Sequence, residues 1–273
     1  MIIKVLMENR GLTDEFLTEH GLSLYIEVGG RKILFDTGET SKFIDNAEKL
    51  EVNLSDVDLA IVSHGHYDHG GGVSSFLKEN NSARVYFHSD AFVPHASNKD
   101  GELEEAGVSK ELLSDSRIVL VDEDIYFDED LILFSSIKGE RLIPEGNKHL
   151  LMNKTGNWEE DDFLHEQNLI IIEGKKRVLV SGCSHRGILN IVERANQLLK
   201  MPVTHVIGGF HLYDINLDDS ADLEFLNEIA KEFEKSGAKF YTGHCTGYDQ
   251  FKWLKEKIGN KIDYIPAGTV LEI

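Results

Sequence analysis

Three histidines and one aspartate lie within six residues of one another in the first quarter of the chain. The segment 63–72 reads SHGHYDHGGG and follows an apolar run. In extended backbone His64 and His66 point to the same side and can bind one metal ion, while Asp68 and His69, where the chain begins to turn, can face a second ion. Three imidazoles and a carboxylate suit zinc, iron or manganese, whereas magnesium and calcium prefer more oxygen ligands. A loop rich in histidine by accident is the alternative, but the close spacing after a buried-type strand favours a metal site.

Short apolar segments on both sides of this motif must position it. Predicted strands in the first part of the chain are 2–6, 23–28, 32–35 and 57–62. From residue 168 the predicted strands are 168–173, 177–181, 203–208 and 238–242, with predicted helices at 188–200, 221–236 and 248–257. Two β-rich halves with helices between their strands predict two sheets packed face to face with helices outside. We therefore predict an α/β fold, a four-layer αββα sandwich formed as a single domain over residues 1–273.

Two segments lack a clear periodic pattern. The segment 96–116 is polar and acidic, with weak periodicity. The segment 138–165 is the least regular part of the chain and contains Pro144, and we interpret it as an insertion or a lid. Its Trp158 and Phe163 either close over an aromatic substrate or pack the loop down.

Composition limits the partners of the protein. The chain has 273 residues, with 28 Lys and Arg against 48 Asp and Glu, a net charge of −20 before its 12 histidines are counted. Such an acidic surface disfavours nucleic acid and anionic membranes as partners. Only Cys183 and Cys245 are present, the N-terminus lacks a signal-peptide pattern, and the apolar runs are too short to cross a bilayer, so we predict a cytoplasmic protein. A homo-oligomer is left open.

The spacing His-x-His-x-Asp-His at 64–69 resembles the metal-binding motif of the metallo-β-lactamase superfamily at every position. The element FDTG at 35–38 also resembles that superfamily's strand-end Asp-x-Gly element, 28 residues before the motif. Four further segments resemble the branch of dihydropterin-linked ribofuranosylaminobenzene 5′-phosphate synthases: EHGLS at 19–23, GCSHRGI at 182–188, GGFHL at 208–212 and GHCTG at 243–247. The resemblance covers essentially the whole chain and implies the metallo-β-lactamase fold.

The resemblance also implies a dinuclear site between the two sheets. In such a site a metal-bound water is acidified to hydroxide and attacks a polarised centre. The implied cofactors are two divalent metal ions, zinc in the first place, with iron or manganese as alternatives. The implied ligands, three for each ion, are His64, His66 and His185 for the first and Asp68, His69 and His244 for the second.

The sequence departs from the superfamily pattern where a bridging aspartate is usual. Gly182-Cys183 occupies the place of the usual Gly-Asp, so Cys183 is either a thiolate ligand or a small buried residue. Loss of the bridging carboxylate would loosen the second site, and mononuclear or mixed occupancy is left open. Asp36 either orients a ligand imidazole or forms the turn before Thr37.

His211 follows the predicted strand 203–208 and belongs to the same rim. It is either a further ligand or the acid that protonates the leaving group, since a histidine near its free pKa of about 6.5 suits that task. Asp68 and His211 are therefore the candidate catalytic residues. Arg186, together with the N-terminus of the helix that starts at Ile188, could hold an anionic group, and the alternative is that Arg186 only offsets surface acidity.

The remaining histidines have weaker chemical signals. His20 either faces the substrate or is an ordinary loop residue. The histidines interpreted as structural or solvent-facing are His88, His95, His149, His165 and His205.

These residues favour a metal-dependent hydrolase that acts on a small anionic molecule such as a phosphoester. One alternative is a mononuclear iron oxidoreductase on the same fold, which the missing bridging carboxylate would permit. A second alternative is a non-catalytic protein that binds or senses a ligand in a metal-dependent manner.

Overall fold

The first half of the chain, closed by the last strand, forms a seven-stranded mixed sheet. The structure is a computed structural model that describes residues 1–99 and 101–273. From edge to edge the strands are β18 (Val270–Glu272), β1 (Ile2–Met7), β2 (Ser23–Val28), β3 (Arg31–Phe35), β4 (Leu59–Ile61), β5 (Arg84–His88) and β8 (Ile118–Val121). Gly29 and Gly30 close the β2–β3 hairpin at φ values of 57° and 79°, which glycine adopts without strain. Strands β3, β4, β5 and β8 are parallel, so their carboxyl ends meet at one edge.

The second half of the chain forms another seven-stranded mixed sheet. From edge to edge its strands are β17 (Ile262–Tyr264), β16 (Lys239–Thr242), β15 (His205–Gly208), β14 (Lys176–Val180), β13 (Asn168–Glu173), β10 (Leu131–Phe134) and β9 (Ile125–Tyr126). Strands β14 to β17 are parallel. Their carboxyl ends therefore also share one edge, where side chains that follow the strands can converge.

Helices α1 (Lys42–Lys49) and α3 (Val73–Glu79) cover the outer face of the first sheet, and α4 (Ile188–Leu199), α5 (Ser220–Ser236) and α6 (Tyr248–Ile258) cover that of the second. The short helix α2 (Tyr67–Gly70) lies between β4 and α3. Within the described residues, none of these helices has both the length and the apolarity that crossing a bilayer requires.

Three buried apolar clusters define the layers. One cluster lies between the sheets and joins Ile26 of the first to Ile171 of the second. Another packs Phe43 of α1 and Phe76 of α3 against the first sheet, and a third packs α4, α5 and α6 against the second sheet, with Phe233 of α5 completely buried. The four-layer αββα sandwich predicted from the sequence is therefore confirmed.

A third, four-stranded sheet was not predicted. Its strands in order are β12 (Glu159–Glu160), β11 (Leu150–Met152), β6 (His95–Lys99) and β7 (Glu102–Glu105). It joins the two segments that have no periodic pattern, and it pairs Leu150 with Ser97 across more than fifty residues of sequence. All four residues of β7 are exposed, so no alternation of buried and exposed residues marks it.

Candidate metal centre

The first group of candidate ligands contains both histidines of the His-x-His pair. The backbone is extended at His66, and His64 Nε2 lies 3.1 Å from His66 Nδ1. His185 stands in the turn after β14, with its ring centroid 4.9 Å from that of His64 and 5.2 Å from that of His66. All three side chains are buried. The structure thus brings together the three residues that the sequence assigned to one ion.

The second group surrounds His69, which lies in the short helix α2. His69 Nε2 is 3.1 Å from the Nε2 of His244, the residue that follows the loop after β16. Asp68 Oδ2 lies 3.2 Å from His244 Nε2 and 3.5 Å from His69 Nε2. These are the three residues that the sequence assigned to the second ion.

Cys183 joins the two groups. Its Sγ lies 3.1 Å from His69 Nε2. Two sets of buried residues, each with one ligand atom per residue within 4.8 Å of the others, contain it: Asp68, His69, Cys183 and His244, and His64, Cys183 and His185. Burial raises the pKa of the Cys183 thiol, so a thiolate at this position requires a cation beside it. Cys183 therefore lies between the two groups, with a sulfur atom at the position where the superfamily usually has a bridging carboxylate.

Protein oxygen atoms hold the Nδ1 side of four ligand imidazoles. The pairs are Ser63 Oγ with His64 (2.9 Å), Asp36 Oδ2 with His69 (2.6 Å), Asn147 Oδ1 with His185 (2.9 Å) and Asn9 Oδ1 with His244 (2.9 Å). The Asn147 amide nitrogen also donates to the His185 carbonyl at 2.7 Å, which fixes the direction of that amide. A proton held at Nδ1 leaves the Nε2 lone pair directed into the centre.

The donor set fits divalent metal ions. His185 Nε2 is buried and has no hydrogen-bond partner among the described residues. A tetrahedral zinc ion with Zn–N bonds of 2.0–2.1 Å places its ligand atoms about 3.3 Å apart. The separations within the two groups, from 3.1 to 3.5 Å, are close to this value. Burial and neighbouring imidazoles hold the pKa of His64 and of His185 well below the ordinary value, which keeps them in the neutral form that binds metal.

Carboxylates give the second group a negative potential. Burial alone would lower the pKa of His69, but Asp68 and Asp36 outweigh it and raise that pKa to about 9. Burial alone would raise the pKa of Asp68, but the imidazoles of His69 and His244 outweigh it and lower that pKa. A divalent cation bound here would take the place of the proton on His69.

Strained backbone marks the rim of the centre. Four residues at the centre, Asp36, Ser184, His211 and His244, have φ between 50° and 61°. Each such conformation costs of order 1–3 kcal/mol and persists where the surrounding structure enforces it. Close packing of the turns requires glycine as well, because a Cβ at Gly209 would collide with the Cys245 sulfur.

A cavity of about 120 Å³ opens over the centre. His211 borders it with its ring centroid 4.2 Å from that of His185, and both of its ring nitrogens are buried without a partner among the described residues. The side chain of His20 is half-exposed, with Nε2 3.3 Å from Asp68 Oδ2, so His20 faces the cavity. Other lining residues include Tyr67, Ser97, Lys99, Leu150, Tyr213 and Cys245. The small third sheet supplies Ser97, Lys99 and Leu150, and thereby covers the centre.

The structure corrects the interpretation of Arg186. Its guanidinium donates to the backbone carbonyls of Ile137, Gly139 and Asp162 at 2.9 to 3.2 Å. Neither Arg186 nor Ile188 lines the cavity over the centre. Arg186 therefore holds the two ends of the irregular segment 138–165 together, and an anionic ligand would need a different cationic residue.

A buried group behind the His-x-His pair consists of His95, Asp161 and His165. From sequence the two histidines were interpreted as structural or solvent-facing, and Asp161 was not identified. His165 Nδ1 accepts from the Gly65 amide at 3.3 Å, and its Nε2 lies 3.2 Å from Asp161 Oδ2. His95 Nε2 lies 3.4 Å from the same oxygen. Because Gly65 separates the two paired histidines, His165 and Asp161 hold the backbone that presents them.

The amides that orient His185 and His244 were also missed. Asn147 lies in the irregular segment and Asn9 two residues after β1, and neither has a neighbouring motif that would have revealed it. Glu166 is another buried residue of this kind, and it accepts from the backbone amides of His185 and Arg186 at 2.6 and 3.1 Å. Burial raises the pKa of Glu166 to about 7.

Comparison with known proteins agrees with this geometry. The family model of the metallo-beta-lactamase superfamily matches residues 18–186. The 7,8-dihydropterin-6-methyl-4-(beta-D-ribofuranosyl)-aminobenzene-5'-phosphate synthase of Methanocaldococcus jannaschii is 30% identical over 96% of this chain and 92% of its own length. An uncharacterized protein of the same organism is 29% identical over the full length of both chains. Among solved structures, Tm1679, a metal-dependent hydrolase of the beta-lactamase superfamily, has a TM-score of 0.84 at 28% identity, covering 100% of this chain and 99% of its own. The chain belongs to the metallo-beta-lactamase superfamily.

Proposed function

We propose that this protein is a metal-dependent hydrolase of a small anionic substrate, with a phosphoester as the substrate class. The observation that carries the proposal is the pair of buried ligand groups that share Cys183, with ligand atoms spaced as the corners of metal coordination polyhedra. The similarity to Tm1679, named as a metal-dependent hydrolase, supports the same reaction class.

Two divalent ions bound here would acidify a water molecule and neutralise charge on a phosphoryl oxygen. His64, His66 and His185 would hold one ion, Asp68, His69 and His244 the other, and Cys183 would stand between them. The chain's own contribution is to fix these donors from behind through Ser63, Asp36, Asn147 and Asn9, so that little reorganisation accompanies the reaction.

His211 is the candidate general acid. Its ring is buried at the cavity wall, and no described residue holds either ring nitrogen. An imidazole that no protein group engages can hold a proton at one nitrogen and pass it to a leaving oxygen. The alternative that His211 is a further ligand also fits its position, since the Cys183 and Cys245 sulfurs lie within 4.8 Å of a His211 ring nitrogen.

Residues that line the cavity over the centre would bind the anionic group of the substrate. Lys99 brings an ammonium group there, and Ser97 and Tyr67 bring hydroxyl groups. Lys99 is paired with Glu104 at 2.8 Å on the exposed surface, so its charge can turn toward a ligand at small cost. These residues take the role that the sequence interpretation gave to Arg186.

The named relative from Methanocaldococcus jannaschii supports phosphorylated ring compounds as the first substrates to test. Its name contains a 5'-phosphate, a dihydropterin and an aminobenzene. That name describes a synthase, so the assay should follow both release of phosphate and the fate of the organic group.

The experiment compares turnover of a phosphomonoester, a phosphodiester, a lactone and a thioester by protein loaded with zinc, manganese or iron. We expect phosphoester turnover that falls at least 100-fold in His185→Ala. His205→Ala is the matched control, because His205 is a half-buried histidine on β15 that stacks on Tyr241 away from the cavity. No turnover at full metal loading would favour a binding or sensing protein. Oxygen consumption by the iron form would favour the oxidoreductase alternative.

A further inference from the structure

The cavity over the metal centre is too small for an organic substrate. Its volume is about 120 Å³, whereas pockets that enclose small organic ligands usually measure about 300–1,000 Å³. A small anion fits against the ligand groups. The remainder of the substrate must extend into a neighbouring space.

A second cavity, of about 490 Å³, adjoins the first at His211. His211 lines both cavities. The sequence neighbours His149 and Leu150 line the second and the first cavity, respectively, and so do the neighbours Asp214 and Tyr213. Only 7% of the His211 surface is exposed, and neither of its ring nitrogens has a partner among the described residues. A ligand that passes from one cavity to the other therefore meets an uncommitted imidazole.

Gly146 lies on the wall of the second cavity, beside Asp214 and His211. A Cβ at Gly146 would lie 3.4 Å from His211 Nε2 and would collide with the Asp214 carboxylate. The two side chains thus approach across a gap that any larger residue would fill.

The walls of the second cavity combine an apolar face with carboxylates. Ile215 and Phe225 are partly buried against the core under α5 and α6 and present the apolar face. Asp214 and Asp222 supply carboxylate oxygens. Lys148 and Glu145 also line this cavity and pair at 2.7 Å, so three carboxylates, those of Glu145, Asp214 and Asp222, face one ammonium group.

The charges sort the two ends of a substrate. Carboxylates accept hydrogen bonds from amino and ring N–H groups, and they repel a phosphate. A phenyl ring such as that of Phe225 stacks with flat aromatic groups. The anionic end therefore belongs at the metal ligands, and a nitrogen-rich flat ring belongs beyond His211.

We propose that the cavity bounded by His211, Asp214, Asp222 and Phe225 is a second substrate subsite that binds a flat heteroaromatic ring bearing amino-type donors. The proposal rests on the proposed function, because it assigns the non-reacting part of the same substrate. The leaving group then departs past His211, which places the candidate acid between the two subsites.

The test measures binding of guanosine, which has a flat ring with amino and N–H donors and no phosphate, to the zinc-loaded protein by calorimetry. We expect binding that Asp214→Asn and Phe225→Ala each weaken about tenfold, the effect of losing roughly 1.4 kcal/mol of stacking or hydrogen bonding. Asp214 is exposed, so the Asn variant should fold even if the Phe225 variant does not. Tyr126→Ala is the control, since Tyr126 is an exposed aromatic residue on β9 that does not line this cavity.

Separate outcomes distinguish the subsite from the hydrolase activity. Guanosine binding that depends on Asp214 and Phe225, without hydrolysis of any phosphoester, would support the subsite and contradict the proposed function. Hydrolysis of guanosine 5'-monophosphate and ribose 5-phosphate with equal kcat/KM, and no guanosine binding, would support the function and overturn the subsite. Guanosine binding that neither variant weakens would also overturn the subsite.

Discussion

Removal of the Asn147 side chain should lower the affinity for one metal ion and leave the affinity for the other unchanged. Asn147 accepts from His185 Nδ1 at 2.9 Å and donates to the His185 carbonyl at 2.7 Å. Asn147→Ala removes both hydrogen bonds, each worth about 0.5–1.5 kcal/mol, so the orientation of His185 loses about 1–3 kcal/mol. At about 1.4 kcal/mol for each factor of ten, that loss predicts an affinity roughly 10- to 100-fold lower, the range found when a group that orients a metal ligand is removed.

The assay is a competitive zinc titration against a fluorescent chelator, which resolves the two affinities of each variant. Asn9→Ala is the matched control, because Asn9 holds His244 Nδ1 at the same 2.9 Å on the other side of the centre. We expect Asn147→Ala to lower the affinity for the ion bound by His185, and Asn9→Ala to lower the affinity for the ion bound by His244. Asn147→Asp should restore much of the affinity, since it keeps the acceptor. If Asn147→Ala lowers both zinc affinities equally, or lowers neither, the assignment of Asn147 to one half of the centre is refuted.

Three further substitutions test other parts of the site. His211→Ala should keep its metal content while kcat falls about 10²- to 10⁴-fold; loss of an ion in elemental analysis would make His211 a ligand. Arg186→Lys should lower the free energy of unfolding by about 2–3 kcal/mol, because an ammonium cannot reach the three carbonyls that the guanidinium bridges. Thermal denaturation measures this loss, and a large rise in KM for an anionic substrate with an unchanged Tm would contradict it. Gly209→Ala should destabilise the protein by about 1–3 kcal/mol, because its methyl group would collide with the Cys245 sulfur; an unchanged urea midpoint would show that the turn adjusts freely.

Regular periodicity made most of the fold predictable. The buried strands are short apolar runs bounded by glycine, and the long helices carry one apolar face, so both sheets and the three long helices after residue 187 could be placed from sequence. The third sheet could not, because β7 exposes all four residues and β6 pairs with a strand far along the chain. Pairing of polar strands depends on tertiary context, which leaves no periodic trace.

The candidate ligands could be proposed from sequence because they cluster next to glycine at strand ends. The spacing of His64 and His66 identifies them as a candidate pair, and His185 and His244 lie in segments that contain glycine. The residues that orient them were not readable, since an amide such as Asn147 has the same composition signal as any loop residue. Arg186 shows the converse error, because its position beside a ligand suggested substrate binding while its hydrogen bonds serve the backbone.

The central proposal is that the two groups of candidate ligands, both of which contain Cys183, would bind two divalent ions. The most direct test is elemental analysis of the protein after loading and removal of loosely bound metal, expressed as atoms of zinc, iron and manganese per chain. The proposed centre predicts about two divalent ions per chain in the wild type. A chain that retains no ion after loading would contradict the proposed centre, and one that retains a single ion would contradict the paired arrangement around Cys183.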